Sequence, residues 1–305
     1  MNKIAPLAVI IAAALWGIDG IILRPALYSL PVPLVVFIES TIVAVLLLPI
    51  LVKQFDKVKS LSKGDWLAFI GVGLFGGAIG TMAITKALFY VNFVNLSVVI
   101  LIQKLQPVFA LSFAALLLKE RPPKSFFMWA AFAIIGAYFM TFGTKMPNFS
   151  SGDKTTIAAL FALLAAASFG SSTVFSKRAL FNVGFELGTY LRFGIASLVM
   201  LVISSSTGDI LKIGTVSPHQ IMIFVIIAFT TGGAAIFLYY YGLKNISASV
   251  ATICELAFPL TAVLLEYFIH GNIMDITQWV GALVLMLSIF NVSKITNKPP
   301  LKARS

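Results

Sequence analysis

Gln103-Lys104-Leu105-Gln106-Pro107 interrupts an apolar run, residues 96–119, that is long enough to cross a bilayer. Pro107 has no amide hydrogen and clashes with the carbonyl four residues earlier, that of Gln103, so a helix is expected to break there and free that acceptor. In hydrocarbon, a break flanked by a lysine and two glutamines persists only where protein or a water-lined cavity satisfies the polar groups. A second run, residues 248–270, sets Glu255 four residues before Pro259 in the same relation. These two interrupted runs decide the fold, and the rest of the chain is read around them.

Of the 305 residues, 59% are hydrophobic and 11% charged, against about 25% charged in a soluble domain. Hydropathy and breaker residues place ten spans, at 4–23, 34–52, 66–85, 95–118, 125–142, 156–176, 187–205, 219–241, 248–269 and 276–293. The chain is therefore read as an all-α polytopic membrane protein embedded in a lipid bilayer. Residues 4–15 after Lys3 imitate a signal peptide, but the apolar run continues to Leu23 and is read as a span. The net charge of +11 belongs to short loops between spans, so no nucleic-acid partner is expected. With the N-terminus inside, cytoplasmic loops and termini hold fifteen Lys and Arg and outer loops hold five, which puts both termini in the cytoplasm. Cys254 is the single cysteine, so neither a disulfide framework nor a thiolate metal site is expected. No His-Glu-x-x-His occurs, and neither enzyme activity nor a metal or other cofactor is expected.

Shifting the chain by 152 residues sets Pro107 on Pro259, Ala110 on Ala262, Ser97 on Ser249, Val98 on Val250 and Gly80 on Gly232. With one more residue, Trp16-Gly17 falls on Phe169-Gly170, Arg24 on Lys177 and Glu39 on Arg192. Each half then holds five spans. An odd number obliges the second half to cross in the opposite sense, which gives two inverted five-helix repeats, at 1–147 and 148–293, followed by a basic cytoplasmic tail at 294–305. Inverted repeats are typical of secondary transporters, with the site near the midplane between the repeats.

Ala-Leu-Trp-Gly at 14–17, Gln-Pro-Val-Phe-Ala at 106–110 and Leu-Lys-Glu-Arg-Pro at 118–122 resemble the drug/metabolite transporter superfamily, specifically its EamA-type exporters. The second half repeats the pattern more loosely, and the acidic position Glu120 maps onto Asn272. The resemblance implies ten helices, a central cavity lined mainly by the first four helices of each repeat, alternating access, and a bacterial inner membrane. The mixed charge of the candidate residues points to an exporter of small metabolites such as amino acids or related compounds, with a multidrug or organic-cation exporter of the same fold as the alternative and a channel or a non-transporting membrane scaffold as further readings. The protein is expected to be a monomer or a homodimer.

Candidate substrate-binding residues are Trp16, Asp19, Glu39, Gln103, Lys104, Gln106, Arg192, Tyr239 and Glu255, with Pro107 and Pro259 as helix-break or gating positions. On a helical wheel Gln103, Gln106, Pro107, Ala110 and Ala114 share a polar, small-residue face. Lys104 lies at its edge, either facing the cavity or serving as counter-ion to Glu255 or Glu39. Carboxylates inside spans are expensive and usually functional, so Glu39 and Glu255 are also candidates for a coupled proton. Arg192 either lines the cavity or snorkels to the headgroups. The tyrosines at 239–241 are either interfacial anchors or ligand contacts. Glycines 71, 73, 76, 77 and 80 lie within a span with no Gly-Lys-Ser/Thr, so they are read as close helix packing and not as a phosphate loop.

Overall fold

The computed structural model describes residues 4–90, 102–103, 105–145, 153–271 and 273–295. These residues are helical and turn throughout, with no strand among them. Eight helical stretches among them are long and apolar enough to cross a membrane, and two shorter apolar helices, Val32–Leu46 and Gln106–Leu117, accompany them. Lys104, residues 96–101 of the 96–119 run, Asn272 and most of the tail lie outside the described residues.

In chain order, α1 (Ile4–Ile18) continues through a π-helical turn at Asp19–Leu23 and a 3-10 turn at Arg24–Leu27. Then come α2 (Val32–Leu46), α3 (Leu48–Lys53), α4 (Phe55–Lys59) and α5 (Lys63–Gly71). A second π-helical stretch, Val72–Ile79, joins α5 to α6 (Gly80–Tyr90). They are followed by α7 (Gln106–Leu117), α8 (Lys124–Phe142), α9 (Asp153–Ala179) and α10 (Phe185–Ser206). The chain ends with α11 (Pro218–Phe229), α12 (Gly233–Asn245), α13 (Ala248–Cys254), α14 (Ala257–His270) and α15 (Ile276–Ser293).

Several expected spans are broken, each for a visible reason. The second span splits at Leu47, where Pro49 opens the next helix. The eighth splits between Phe229 and Gly233, with Thr230 at φ −126°, ψ −88° and Gly232 at φ −93°, ψ −85°. The ninth splits at Glu255-Leu256, ahead of Pro259. One expectation needs correcting: the Glu255 carbonyl is not left free, because the Phe258 amide donates to it at 2.9 Å.

α1 packs against α12 and α14, α9 packs against α6 and α7, α2 packs on α10, and α8 packs on α15. Two glycines let backbones approach where α1 and α9 cross the broken helices. A Cβ at Gly17 would lie 2.9 Å from the Phe258 carbonyl oxygen and 3.1 Å from the Ala262 nitrogen, and one at Gly170 would lie 2.8 Å from the Ala110 nitrogen. The glycines of 71–80 meet Phe175, Ile195, Ser172 and Phe169 in the same manner, so this stretch is packing.

Polar contacts tie together the loops at one end, called here the basic end. Ser62 and Asp65 form a capping box on α5. Asp65 also accepts from Arg178 at 2.9 Å and from Asn182 at 2.8 Å, which ties α5 to α9. Lys177, expected in a loop, is buried in α9 and donates to the carbonyls of Leu243 and Lys244 at the end of α12. Lys244 returns the contact to the carbonyls of Leu180 and Val183. Beyond α7, Lys119 adopts a left-handed φ of 53°, and Glu120 turns onto the start of α13. Its carboxylate accepts from the amides of Ala248 and Ser249 and from the Ser249 hydroxyl, at 2.8, 3.0 and 2.6 Å. A carboxylate at a helix start meets both the free amides and the positive end of the dipole.

Candidate functional site

The interior holds two polar clusters at successive levels of α1. The first is built around Glu255, at the break between α13 and α14. Its Oε1 accepts from the Tyr239 hydroxyl at 2.6 Å and from the Thr173 hydroxyl at 3.2 Å. Its Oε2 accepts from the Gln106 amide at 3.3 Å. The donors come from α12, α9 and α7, so four helical segments converge on one carboxylate. The break explains the position: Glu255 closes α13, and its side chain leaves the helix where the chain turns toward α14.

Trp16 packs against Tyr239 with ring centroids 5.3 Å apart, tilted by 57°. Tyr239 is only 3% exposed, so the reading as an interfacial anchor does not hold for it. Gln103 is half-buried at the entry to α7, and Pro107 and Pro259 are buried beside the two breaks. The Arg192 guanidinium lies 5.7 Å from the centre of the Tyr240 ring. It lies against α12 and near the Gly76 backbone, and among the described residues no carboxylate or carbonyl accepts from it. The Tyr240 hydroxyl shares a hydrogen bond with Ser176 at 3.0 Å.

The second cluster lies one turn further along α1. Arg24 donates from Nε to Asp19 at 2.7 Å and from Nη1 to Glu39 at 3.1 Å, with Nη2 2.6 Å from Asp19. The other oxygen of Asp19 accepts from the Thr231 hydroxyl at 3.1 Å, at the break between α11 and α12. Asp19 and Glu39, both expected among the substrate-binding residues, are each paired with Arg24. Arg24 was expected in an outer loop, and the π turn is what brings it inward. A π helix bonds residues five apart, and the Arg24 amide donates to the Asp19 carbonyl in that way. In an α helix the same two residues would point about 140° apart at 100° per residue. The counter-ion that Glu39 takes among the described residues is therefore Arg24, and Lys104, the expected alternative, falls outside them.

The expected candidates thus separate into two groups. Trp16, Gln106, Tyr239 and Glu255 come together, Arg192 packs on the neighbouring Tyr240, and Asp19 and Glu39 join in an ion cluster with Arg24. Sequence reading missed Thr173, Arg24 and Thr231. Arg24 and Thr231 carry no signal in α periodicity, because each depends on a local departure from it.

Comparison with known proteins places this arrangement. The chain is 46% identical over 290 residues to the riboflavin transporter ImpX of Fusobacterium nucleatum, covering 95% of this chain and 97% of that one. It is 28% identical over 193 residues to the uncharacterized transporter YwfM of Bacillus subtilis, covering 63% and 62%. A solved crystal structure with 17% sequence identity superposes over 95% of both chains with a TM-score of 0.73, which shows a shared fold. The EamA-like transporter family matches twice, over residues 3–142 and again over 156–294, and the chain belongs to that family of multi-pass membrane transporters.

Proposed function

We propose that the chain is a secondary transporter of a small planar metabolite of the flavin type, with riboflavin the leading candidate, working by alternating access around Glu255. The observation that carries this reading is the Glu255 carboxylate itself. It sits at a helix break between segments of both halves, with Tyr239, Thr173 and Gln106 as its hydrogen-bond donors, all of them neutral. A carboxylate inside a membrane protein is costly and marks function by default.

The surroundings suit a flavin. Trp16, half-buried against Tyr239, offers an aromatic face for a flat ring system, and Gln103, Gln106 and Glu255 offer amide and carboxylate groups for its edge of alternating donors and acceptors. A relative named a riboflavin transporter at 46% identity supports that class above amino acids, the substrates expected from the sequence. Arg192 lies at the margin, where it would meet a polar tail. A second reading, an exporter of organic cations, draws on the same acidic group beside aromatic faces.

The ten-span, inverted-repeat architecture belongs to this proposal. It is supported by the two family matches and by paired packing, in which α1 meets α12 and α14 as α9 meets α6 and α7. The positive-inside bias puts the basic end, and with it both termini, in the cytoplasm of a bacterial inner membrane. An alternating-access carrier is reversible, so gradients set whether it exports or takes up its substrate. Glu255 is also where a coupled proton would ride.

The test is flux of riboflavin into liposomes containing the purified protein, with an amino acid mixture and a cationic dye as parallel substrates. Saturable riboflavin flux that unlabelled riboflavin inhibits is expected. Absent riboflavin flux beside saturable movement of the amino acids or the dye overturns the flavin reading.

A further inference from the structure

We propose that Arg24 is a gating residue and that the π turn Asp19–Leu23 is its hinge, so that the end opposite the basic loops opens when this turn reverts to α-helix. The inference rests on the transporter reading above but not on the identity of the substrate. Three observations converge on it.

The first is the position of the cluster. Asp19 lies three residues beyond Trp16, about 4.5 Å further along the axis at 1.5 Å per residue. The ion cluster therefore sits between the Glu255 site and the end formed by residues 24–31 and 216–220. That end is closed by a separate contact, in which Gln220 donates to Ser29 at 2.9 Å and to the Ala26 carbonyl at 3.3 Å. The second observation is connectivity. Asp19 and Arg24 on the extension of α1 join Glu39 on α2 to Thr231 at the break between α11 and α12, so any opening between these segments must separate them.

The third is the turn itself. The Arg24 amide bonds to the Asp19 carbonyl, whereas the α geometry would shift it to the Gly20 carbonyl. One backbone hydrogen bond is exchanged for another, and the Arg24 side chain swings about 140° off Asp19. The space around Gly20 is open, with nothing within 4 Å of where a Cβ would be, so the segment has room to rewind. Across the cluster, Thr230 and Gly232 hold irregular backbone angles, which places a second pliable point opposite the first. π turns are frequent at functional sites.

The geometry offers a variant that separates hinge from ion pair. Removing Ile22, a residue 48% exposed, takes one residue out of the π turn. Asp19 and Arg24 then stand four apart, a spacing at which α-helical partners still meet, so the pair survives while the slack is lost. The experiment places a reporter cysteine by Gln103→Cys in a Cys254→Ala background and labels it with a membrane-impermeant thiol reagent from the end bearing residues 24–31. Removal of Ile22 is expected to cut labelling at least tenfold, and to cut riboflavin flux at least tenfold when it is made in the protein that keeps Gln103. Arg24→Gln is expected to raise labelling several-fold. Unchanged labelling in the Ile22 deletion, or labelling in Arg24→Gln no higher than in the parent, overturns the proposal. Because labelling needs no substrate, it reads the gate even if riboflavin is not the cargo, whereas absent riboflavin flux with the expected labelling pattern counts against the substrate alone.

Discussion

Asp19 and Glu255 are both carboxylates set deep in helical segments, yet the protein treats them oppositely. Asp19 has a cation in contact and shares it with Glu39, so two negative charges meet one guanidinium. Glu255 is held by two hydroxyls and an amide, and among the described residues no cation pairs with it. A compensated charge favours a fixed arrangement, since breaking the pair strands a buried charge. A charge held by neutral donors remains available to a ligand that brings better partners. The first arrangement suits a closure and the second suits a binding site.

The largest effect that would break this contrast comes from Arg24. Arg24→Ala leaves Asp19 and Glu39 without their cation and should destabilise the folded protein by about 3–5 kcal/mol. Thermal unfolding in detergent would read the loss, and combining Arg24→Gln with Asp19→Asn and Glu39→Gln should recover most of it. If the triple variant were no more stable than Arg24→Ala, the ionic account of that cluster would fail.

Tyr239→Phe tests the other side. It deletes the shortest hydrogen bond to Glu255 and keeps the ring against Trp16. A hydrogen bond to a charged group is worth roughly 1.5–3 kcal/mol, so transport affinity should shift by about 10- to 100-fold. The direction matters: weaker substrate binding is expected if Glu255 must be oriented.

The scaffold beneath both clusters should respond next. Gly17→Ala pushes a methyl against the Phe258 carbonyl and Gly170→Ala against the Ala110 amide. Each should cost about 1–3 kcal/mol as overpacking. Similar losses at the two sites would also sharpen the case for equivalent halves, and a loss at one alone would weaken it. The smallest effect is expected at Thr41, whose hydroxyl meets Ser197 at 2.7 Å between α2 and α10. Thr41→Val should lower stability by only about 0.5–1.5 kcal/mol and leave substrate affinity alone.

The helical membrane class could be read from composition. The polar breaks at Gln103–Pro107 and Glu255–Pro259 pointed to the cluster around Glu255, because a proline or a charge inside an apolar run is costly unless a partner or a cavity receives it. Which carboxylate did what was not legible. Periodicity assumes 100° per residue, and that assumption puts Arg24 away from Asp19, whereas one π turn brings them together. Thr173 went unmarked because a threonine in an apolar helix bonds equally well to its own backbone; only the approach of α12 and α13 shows that it serves Glu255. Glu120 was legible as a family position but not as a clamp, since its partners are the backbone amides of Ala248 and Ser249, more than a hundred residues away.

The central claim, that Glu255 marks the substrate site, is tested most directly by titrating riboflavin into the purified protein and following its fluorescence. Wild-type protein and Thr41→Val should quench it saturably and with equal affinity, as the flavin stacks beside Trp16 and Tyr239. Glu255→Gln, which keeps the shape and removes the charge, should bind at least about tenfold more weakly, a loss of roughly 1.4 kcal/mol. Saturable binding with unchanged affinity in Glu255→Gln would contradict it.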